Sequence, residues 1–108
     1  MKKIAILGST GSIGNSTLNV IEANPGIFSI TLLTAESNVD SIFNQIKKFK
    51  PKYVYLNDDS SSKELNSRLS SANLKTSLLN EKDYLDTIAS NDVEIVVAGV
   101  VGLSLIHI

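Results

Sequence analysis

The stretch that decides the fold is KIAILGSTGSIG, residues 3–14. Its first part, Lys3 to Leu7, is a continuous apolar run of the kind found in strands buried on both faces of a parallel sheet. Its glycines recur at every third position and lead directly into a helical pattern. A strand, a glycine-rich turn and a helix in immediate succession predict the first unit of a nucleotide-binding α/β fold.

Apolar runs and helix-period segments alternate along the rest of the chain, which predicts further strand and helix units. Strands are predicted at 29–35, 53–56 and 93–98, with a small edge strand at 75–79; helices are predicted at 13–23, 39–49, from 61 past 69, and 81–90. The 108 residues suit one domain. The predicted fold class is α/β, a doubly wound, Rossmann-like parallel sheet that is incomplete at its C-terminus, so strand 93–98 is expected to be an exposed apolar edge.

Spacing also predicts details of the four helices. The first helix is expected to bury a stripe that begins at Ile13 and includes Thr17, Leu18 and Ile21, and Asn38 can cap the second. Ser61 and Glu64 have the spacing of a capping box for the third helix. The fourth is expected to turn three apolar side chains inward, those of Tyr84, Leu85 and Ile88.

The glycine motif has the spacing GxxGxxG, a variant of the usual GxGxxG fingerprint, and each glycine has a predicted role. Gly8 lets the chain leave the strand tightly, Gly11 has no side chain to hold a pyrophosphate away from the backbone, and Gly14 permits close packing of helix on strand. N–H groups at the start of the helix are expected to face the phosphates. The N–H groups of residues 10 to 13 are predicted to be free. The predicted phosphate-binding residues are Gly8, Thr10, Gly11, Ser12, Ile13 and Gly14.

The end of the second predicted strand is where an adenosine ribose normally lies. Glu36 follows Gly14 by about 20 residues, the spacing of an acid that bonds the ribose 2′-hydroxyl and favours NAD. Ser37 and Asn38 are neutral donors that suit a 2′-phosphate instead. In a third interpretation, Asn38 only caps a helix and Glu36 is a solvated loop acid. A further loop, Ala98 to Leu103, is expected to border the nicotinamide end of a dinucleotide.

Composition excludes several classes of function. Ten Lys and Arg residues against eleven Asp and Glu give a net charge of −1, so no basic surface is expected to bind nucleic acid or an anionic membrane. The absence of cysteine excludes disulfides and thiolate chemistry. No apolar run approaches the ~20 residues of a membrane span, so the expected compartment is the cytoplasm. The single histidine, His107, has no partner in sequence, and Asp58-Asp59 resembles a solvated turn, so no catalytic or metal-binding residue is predicted.

The glycine motif and its surroundings resemble the opening of the 1-deoxy-D-xylulose-5-phosphate reductoisomerase family. The matching positions follow the motif in order and without gaps: Ser16-Thr17-Leu18, Val20-Ile21, Asn24-Pro25 and Phe28. Further similar segments are Asn38-Val39, Phe49-Lys50-Pro51 and Gly99-Val100-Val101-Gly102-Leu103. The resemblance therefore covers nearly the whole chain.

The resemblance implies the NADPH-binding N-terminal part of a homodimeric enzyme. That enzyme converts 1-deoxy-D-xylulose 5-phosphate to 2-C-methyl-D-erythritol 4-phosphate in non-mevalonate isoprenoid biosynthesis, using NADPH and a divalent metal, Mg or Mn. It implies that Thr10, Gly11, Ser12 and Ile13 hold the cofactor phosphates and that Ser37 with Asn38 faces the 2′-phosphate. The family's catalytic, metal-binding and substrate-binding residues come later in its sequence, so the fragment alone is expected to be inactive.

The chain departs from the family pattern at two places. The family often carries a glycine and a basic residue where this chain has Glu36-Ser37. After Leu103 the family continues into a Pro-Thr helix start, whereas Ser104 to Ile108 follow here, so we expect a truncated chain with a foreign tail at 104–108. Two alternatives remain open at this point: the nucleotide domain of another NADP-linked reductase, such as aspartate-semialdehyde dehydrogenase, and a non-enzymatic module that binds a nucleotide or CoA.

Overall fold

The computed structural model describes residues 1–98 in full and the backbone of residues 105–107. Strands and helices alternate along the described chain, as the sequence pattern predicts. The strands are β1 (Lys2–Leu7), β2 (Phe28–Ala35), β3 (Tyr53–Leu56), β4 (Ser77–Leu78), β5 (Ile95–Ala98) and β6 (Leu105–His107). The helices are α1 (Ser12–Ala23), α2 (Val39–Phe49), α3 (Asp59–Ser71) and α4 (Glu81–Ile88).

The sheet has the strand order β4-β3-β2-β1-β5-β6. Strands β1 to β5 are parallel, which confirms the predicted α/β class, and β6 pairs antiparallel with β5. The prediction that β5 forms an exposed edge is wrong, because β6 covers it through pairs such as Val96 with Ile106. The strand order reverses between β1 and β5, and this reversal is the switch point at which ligands bind in doubly wound sheets.

The helices cover both faces of the sheet. Side chains of α1, α2 and α3 share one core cluster with Ile4 and Ile6 of β1. Alternate residues of the strands point to the other face, where Ala5 packs in a second cluster that includes Tyr84 and Ile88 of α4. The strand β1 is therefore buried on both faces, as its uninterrupted apolar sequence predicts.

Two helix starts show which capping predictions hold. Asn38 caps α2 as predicted, since its Oδ1 accepts a hydrogen bond of 3.2 Å from the N–H of Ser41. The predicted capping box of α3 is wrong: Asp58 is the N-cap and accepts from the N–H of Ser61 at 3.0 Å. Glu64 instead accepts a hydrogen bond from Arg68, four residues along the helix. A carboxylate three residues before Ser61 is an effective N-cap, so α3 begins at Asp59.

The buried faces of α1 and α4 differ from prediction at three residues. In α1 the buried residues are Gly14, Leu18 and Ile21, while Ile13 is 42% exposed and Thr17 only half-buried. The stripe passes through a glycine because α1 lies too close to Gly8 and Ser9, the turn directly after β1, for a side chain there. In α4, Tyr84 and Ile88 pack against the sheet as predicted, but Leu85 is 54% exposed. Residues four apart share a helix face, and Leu85 lies about 100° away from Tyr84.

Candidate nucleotide-binding site

The predicted glycine turn lies at the carboxyl end of β1, beside the switch point of the sheet. Gly8 has a φ of +78°, a conformation that favours glycine. Its N–H donates to both the carbonyl oxygen and the Oγ1 of Thr34, at 3.0 and 3.1 Å, and the N–H of Ser9 donates to the same carbonyl at 2.8 Å. These bonds join the turn to the end of β2 and direct the chain away from the sheet.

Gly14 lies against the turn that precedes its helix. A Cβ added at Gly14 would overlap the carbonyl oxygen of Gly8 and would lie 2.5 Å from Cα and 2.7 Å from the carbonyl carbon of Ser9. All three atoms belong to the backbone, so no side-chain rotation could relieve the overlap. Gly14 was predicted to permit close packing of helix on strand; the close packing is confirmed, but its contacts are with the turn directly after β1. Gly11 differs, because the nearest atom to an added Cβ would be the Gly8 oxygen at an ordinary 3.5 Å.

The start of α1 presents N–H donors that have no acceptor in the described part of the protein. Among residues 1–98, the N–H groups of Thr10, Ser12, Ile13 and Gly14 donate no hydrogen bond. The predicted set needs one correction: the N–H of Gly11 is engaged, since it donates to the Gly8 oxygen at 3.1 Å. The first turn of α1 carries no acidic residue and no side-chain cap. Unpaired donors at the positive end of a helix suit an anionic group.

The hydroxyls of Thr10 and Ser12 are further donors at this helix start. Within the described ranges neither hydroxyl makes a hydrogen bond, and Ser12 is exposed. Ile13, exposed beside them, offers an apolar surface at the edge of the turn. The arrangement can therefore hold a phosphate by backbone and hydroxyl donors together, with an apolar contact alongside.

A buried polar contact beneath the turn was missed by sequence reasoning. Ser9 is fully buried and donates from Oγ to Oε1 of Gln45 at 2.7 Å, while Nε2 of Gln45 donates to the Ser9 carbonyl at 2.8 Å. The same Nε2 donates to Oδ1 of Asn15 at 3.1 Å. The available signal was position, because Gln45 lies three residues after Ile42 on the apolar stripe of α2.

The end of β2 brings the three predicted ribose residues together on the surface. The carboxylate of Glu36 accepts a hydrogen bond of 3.0 Å from Nδ2 of Asn57, which follows β3. Asn38 uses its Oδ1 to cap α2, and its Nδ2 donates no hydrogen bond within residues 1–98. The Ser37 hydroxyl is also without a partner in that range. Capping and ligand binding by Asn38 are thus compatible, because they use different atoms of its amide.

A cavity of about 390 Å³ opens between the glycine turn and the ends of β2 and β3. Its walls include Gly8, Glu36 and Asn57, and two aromatic rings, those of Tyr55 and Tyr84. The two rings stack with their centroids 4.4 Å apart and their planes 4° from parallel. Burial raises the pKa of both phenols, so both stay protonated at neutral pH. The cavity therefore has an aromatic wall and polar groups at its mouth, as small-molecule sites commonly do.

Part of the predicted site lies outside the described residues. The loop after Ala98, from Gly99 to Leu103, belongs to this part, as does the side chain of His107. Within the described residues, no group of three or more His, Cys, Asp or Glu side chains could hold a metal ion. Nor is any helix in that part long and apolar enough to cross a bilayer.

Comparison with known proteins gives consistent matches to one family. The sequence model of 1-deoxy-D-xylulose 5-phosphate reductoisomerase matches residues 4–107. A protein of that name from Psychromonas ingrahamii is 45% identical over 103 residues, which is 94% of this chain and 26% of the relative. One from Proteus mirabilis is 43% identical over 107 residues, covering 95% of this chain and 27% of the relative.

Solved structures agree with the sequence matches. A crystal structure of DOX-P reductoisomerase in complex with NADPH, fosmidomycin and magnesium superposes with a TM-score of 0.85 at 31% identity, over 93% of this chain and 24% of that one. The Zymomonas mobilis reductoisomerase in complex with NADPH gives 0.79 at 29% identity, over 92% and 26%. This chain spans about a quarter of the length of the relatives that it matches. Because the family model matches almost every residue, the chain belongs to the 1-deoxy-D-xylulose 5-phosphate reductoisomerase family.

Proposed function

We propose that this chain is the NADPH-binding part of a reductoisomerase that converts 1-deoxy-D-xylulose 5-phosphate to 2-C-methyl-D-erythritol 4-phosphate. The observation that carries the proposal is the set of N–H groups at the start of α1 that have no acceptor in the described part of the chain and follow a glycine turn at the switch point. Relatives of the same family are solved in complex with NADPH. Family membership favours this function over the two alternatives, another NADP-linked reductase and a non-enzymatic nucleotide module.

The residues at the turn fit the pyrophosphate of NADPH. In the proposed site, the N–H groups of Thr10, Ser12 and Ile13 and the hydroxyls of Thr10 and Ser12 donate to phosphate oxygens. Gly11 leaves the approach to the backbone open, since its added Cβ would meet only the Gly8 oxygen at ordinary distance. Gly8 and Gly14 act indirectly by holding the turn close to the helix.

The residues after β2 fit a 2′-phosphate through two neutral donors. Ser37 and Asn38 are exposed at the start of α2, whose N-terminus also favours an anion, and neither the hydroxyl nor Nδ2 donates a hydrogen bond within residues 1–98. Glu36 opposes this charge, but its carboxylate is held by Asn57. We therefore assign the 2′-phosphate to Ser37 and Asn38, and expect Glu36 to lower the preference for NADPH over NADH.

In the whole enzyme the chain's part is to bind and orient the cofactor. NADPH, when bound, supplies a hydride to the substrate, and the residues described above fix its phosphates so that the nicotinamide is directed at the substrate site. The divalent metal and the sugar phosphate are assigned to later parts of the enzyme. We further propose that the whole protein is a cytoplasmic homodimer, that residues 1–108 form its truncated cofactor domain, and that 104–108 are a foreign tail.

Sequencing the source gene beyond codon 103 tests the parent enzyme. We expect a Pro-Thr helix start, an Asn-Lys-Glu segment and later a cluster of acidic residues in place of the present tail. A natural stop codon after Ile108 would contradict the proposal, because the chain would then lack any catalytic part.

Cofactor titration of the full-length protein tests the binding site. We expect NADPH to bind more tightly than CoA, and Gly11→Val to abolish binding by pushing the pyrophosphate off the backbone. Asn19→Val introduces the same side chain at an exposed position of α1 and should leave binding unchanged. A preference for CoA, or unchanged affinity in Gly11→Val, would overturn the assignment.

A further inference from the structure

The carbonyl groups of the glycine turn all accept hydrogen bonds from within the protein. The Gly8 oxygen accepts from the N–H of Gly11, and the Ser9 oxygen accepts from Nε2 of Gln45. The oxygens of Thr10 and Gly11 both accept from Nδ2 of Asn15, each at 3.0 Å. Four consecutive carbonyl dipoles are thus occupied by donors within the protein, whereas the N–H groups of Thr10, Ser12 and Ile13 donate to no acceptor among residues 1–98.

Gln45 is the buried centre of this arrangement. Its side chain makes three hydrogen bonds to two segments, the turn at Ser9 and the first turn of α1 at Asn15. The Ser9 carbonyl can only accept, so the amide nitrogen of Gln45 must face it and the amide oxygen must accept from the Ser9 hydroxyl. Gln45 is 8% exposed and every buried polar side-chain atom in the described residues has a partner. The orientation of the amide is therefore determined by its partners.

We propose that Gln45, together with Asn15, is a positioning residue that keeps the carbonyl groups of the turn away from the cofactor pyrophosphate. The proposal rests on the proposed function, since it presumes that the turn binds NADPH. An outward carbonyl would place its negative end against the phosphates, and a mobile turn would have to be ordered at the moment of binding. Donors that are aligned before binding avoid both the repulsion from the phosphates and the entropic cost of ordering the turn.

Replacing the amide while keeping its shape tests this role in the full-length enzyme. Gln45→Glu puts an acceptor against the Ser9 carbonyl and leaves that carbonyl without its donor. We expect the Kd for NADPH to rise about tenfold or more, the usual effect of a buried acceptor left unpaired. Asn44→Asp makes the same amide-to-acid change on the exposed side of the same helix, and its Kd should stay within about twofold of wild type.

A ligand without a pyrophosphate separates positioning from general damage. Adenosine 2′-monophosphate carries the adenosine and 2′-phosphate only, so we expect its inhibition constant to be unchanged in Gln45→Glu. The KM for NADPH should rise while the KM for the sugar phosphate stays the same. Equal weakening of both nucleotides, or of both substrates, would indicate a structural role and overturn the proposal.

A second variant covers the case in which Gln45→Glu does not fold. Asn15→Ala removes the side-chain donor to the Thr10 and Gly11 carbonyls at an exposed position and introduces the best helix former. The Gly11 carbonyl keeps the backbone N–H of residue 15, at 2.9 Å, so only the Thr10 carbonyl loses its donor altogether. We expect stable protein with NADPH affinity lowered about two- to tenfold, the range for one or two hydrogen bonds. Unchanged affinity in Asn15→Ala would refute the proposal. Failure of the wild type to bind NADPH would instead refute the proposed function.

Discussion

Adding a single methyl group to Gly14 is the sharpest test of how the glycine turn is built. In most helix interiors Gly→Ala is stabilising, by about 1 kcal/mol of helix propensity. Here the added Cβ would lie 2.5 Å from Cα of Ser9 and would also overlap the carbonyl oxygen of Gly8. We therefore expect the opposite sign, a loss of stability in Gly14→Ala.

The size of the loss follows from the distances. To reach a contact of 3.4 Å, Ser9 must move by about 0.9 Å relative to α1. Ser9 is fully buried and its carbonyl, hydroxyl and N–H are all hydrogen-bonded, so that movement disturbs several bonds. Overpacking of a tight site costs about 1–3 kcal/mol. At the upper end of this range, and after the helix propensity gain of about 1 kcal/mol, we expect a net loss of about 1–2 kcal/mol.

Urea unfolding of the chain, followed by far-UV circular dichroism, measures this loss. Gly11→Ser is the matched control, because an added Cβ there has only ordinary contacts, φ is −83°, and serine is the better N-cap. The control should be at least as stable as wild type, yet bind NADPH more weakly because its side chain enters the phosphate approach. If Gly14→Ala were as stable as wild type, the close packing of α1 on the turn would be refuted.

Three further predictions concern charge, pH and aromatic stacking. Glu36→Gln removes a carboxylate beside the proposed 2′-phosphate site. The ratio of the NADH to the NADPH dissociation constant should therefore rise about fivefold, which corresponds to a repulsion of about 1 kcal/mol between two charges in water. An unchanged ratio would place the 2′-phosphate elsewhere. Hydrogen bonds from Ser61 hold the pKa of Asp58 below its ordinary value of 3.8, so its stabilising effect is present above that pH and is lost as the pH falls through the folded-state pKa. Asp58→Asn keeps an N-cap acceptor but does not titrate, so its thermal midpoint should fall less than that of wild type between neutral pH and pH 3; parallel curves would exclude this cause. Tyr84→Leu removes the stack on Tyr55, so the free energy of unfolding measured by urea titration should fall by about 0.5–1.5 kcal/mol. Leu85→Ala, at an exposed position of the same helix, should have a smaller effect in the same titration.

The parts of the fold that depend on residues close together in the sequence were predictable. Burial on both faces makes a parallel strand continuously apolar, and β1 and β5 carry this pattern. The αβ alternation then restricts the topology, because parallel crossovers are right-handed and α4 must return across the sheet to its other face. The Gly14 contact was predictable for the same reason, since the glycine spacing follows from backbone geometry close to the turn.

Predictions failed where two residues could fill the same local role, or where the residue that makes the contact is distant in the sequence. Asp58 and Ser61 are both acceptable N-caps, and in the structure Asp58 takes the role. Leu85 is a typical core residue in its side chain. A short helix that lies on a sheet buries only one narrow face, however, and Leu85 lies beside that face and stays exposed. The partner that covers β5 comes from the far end of the chain, which no spacing rule relates to it.

The candidate site likewise combines residues that could be predicted from a local sequence pattern with one that could not. Residues that touch the proposed phosphates form one contiguous segment, and their function follows from what glycine and a helix N-terminus do to a backbone. The residue that holds this segment, Gln45, lies 36 positions away from Ser9, on another helix. A glutamine on the apolar stripe of α2 indicates that some buried group requires a donor and an acceptor, because an unpaired amide would not be tolerated there. It does not indicate which group, since that depends on how α2 crosses the sheet. Sequence can therefore locate a phosphate loop, and the structure is needed to identify the side chains that determine which side of the loop carries its donors.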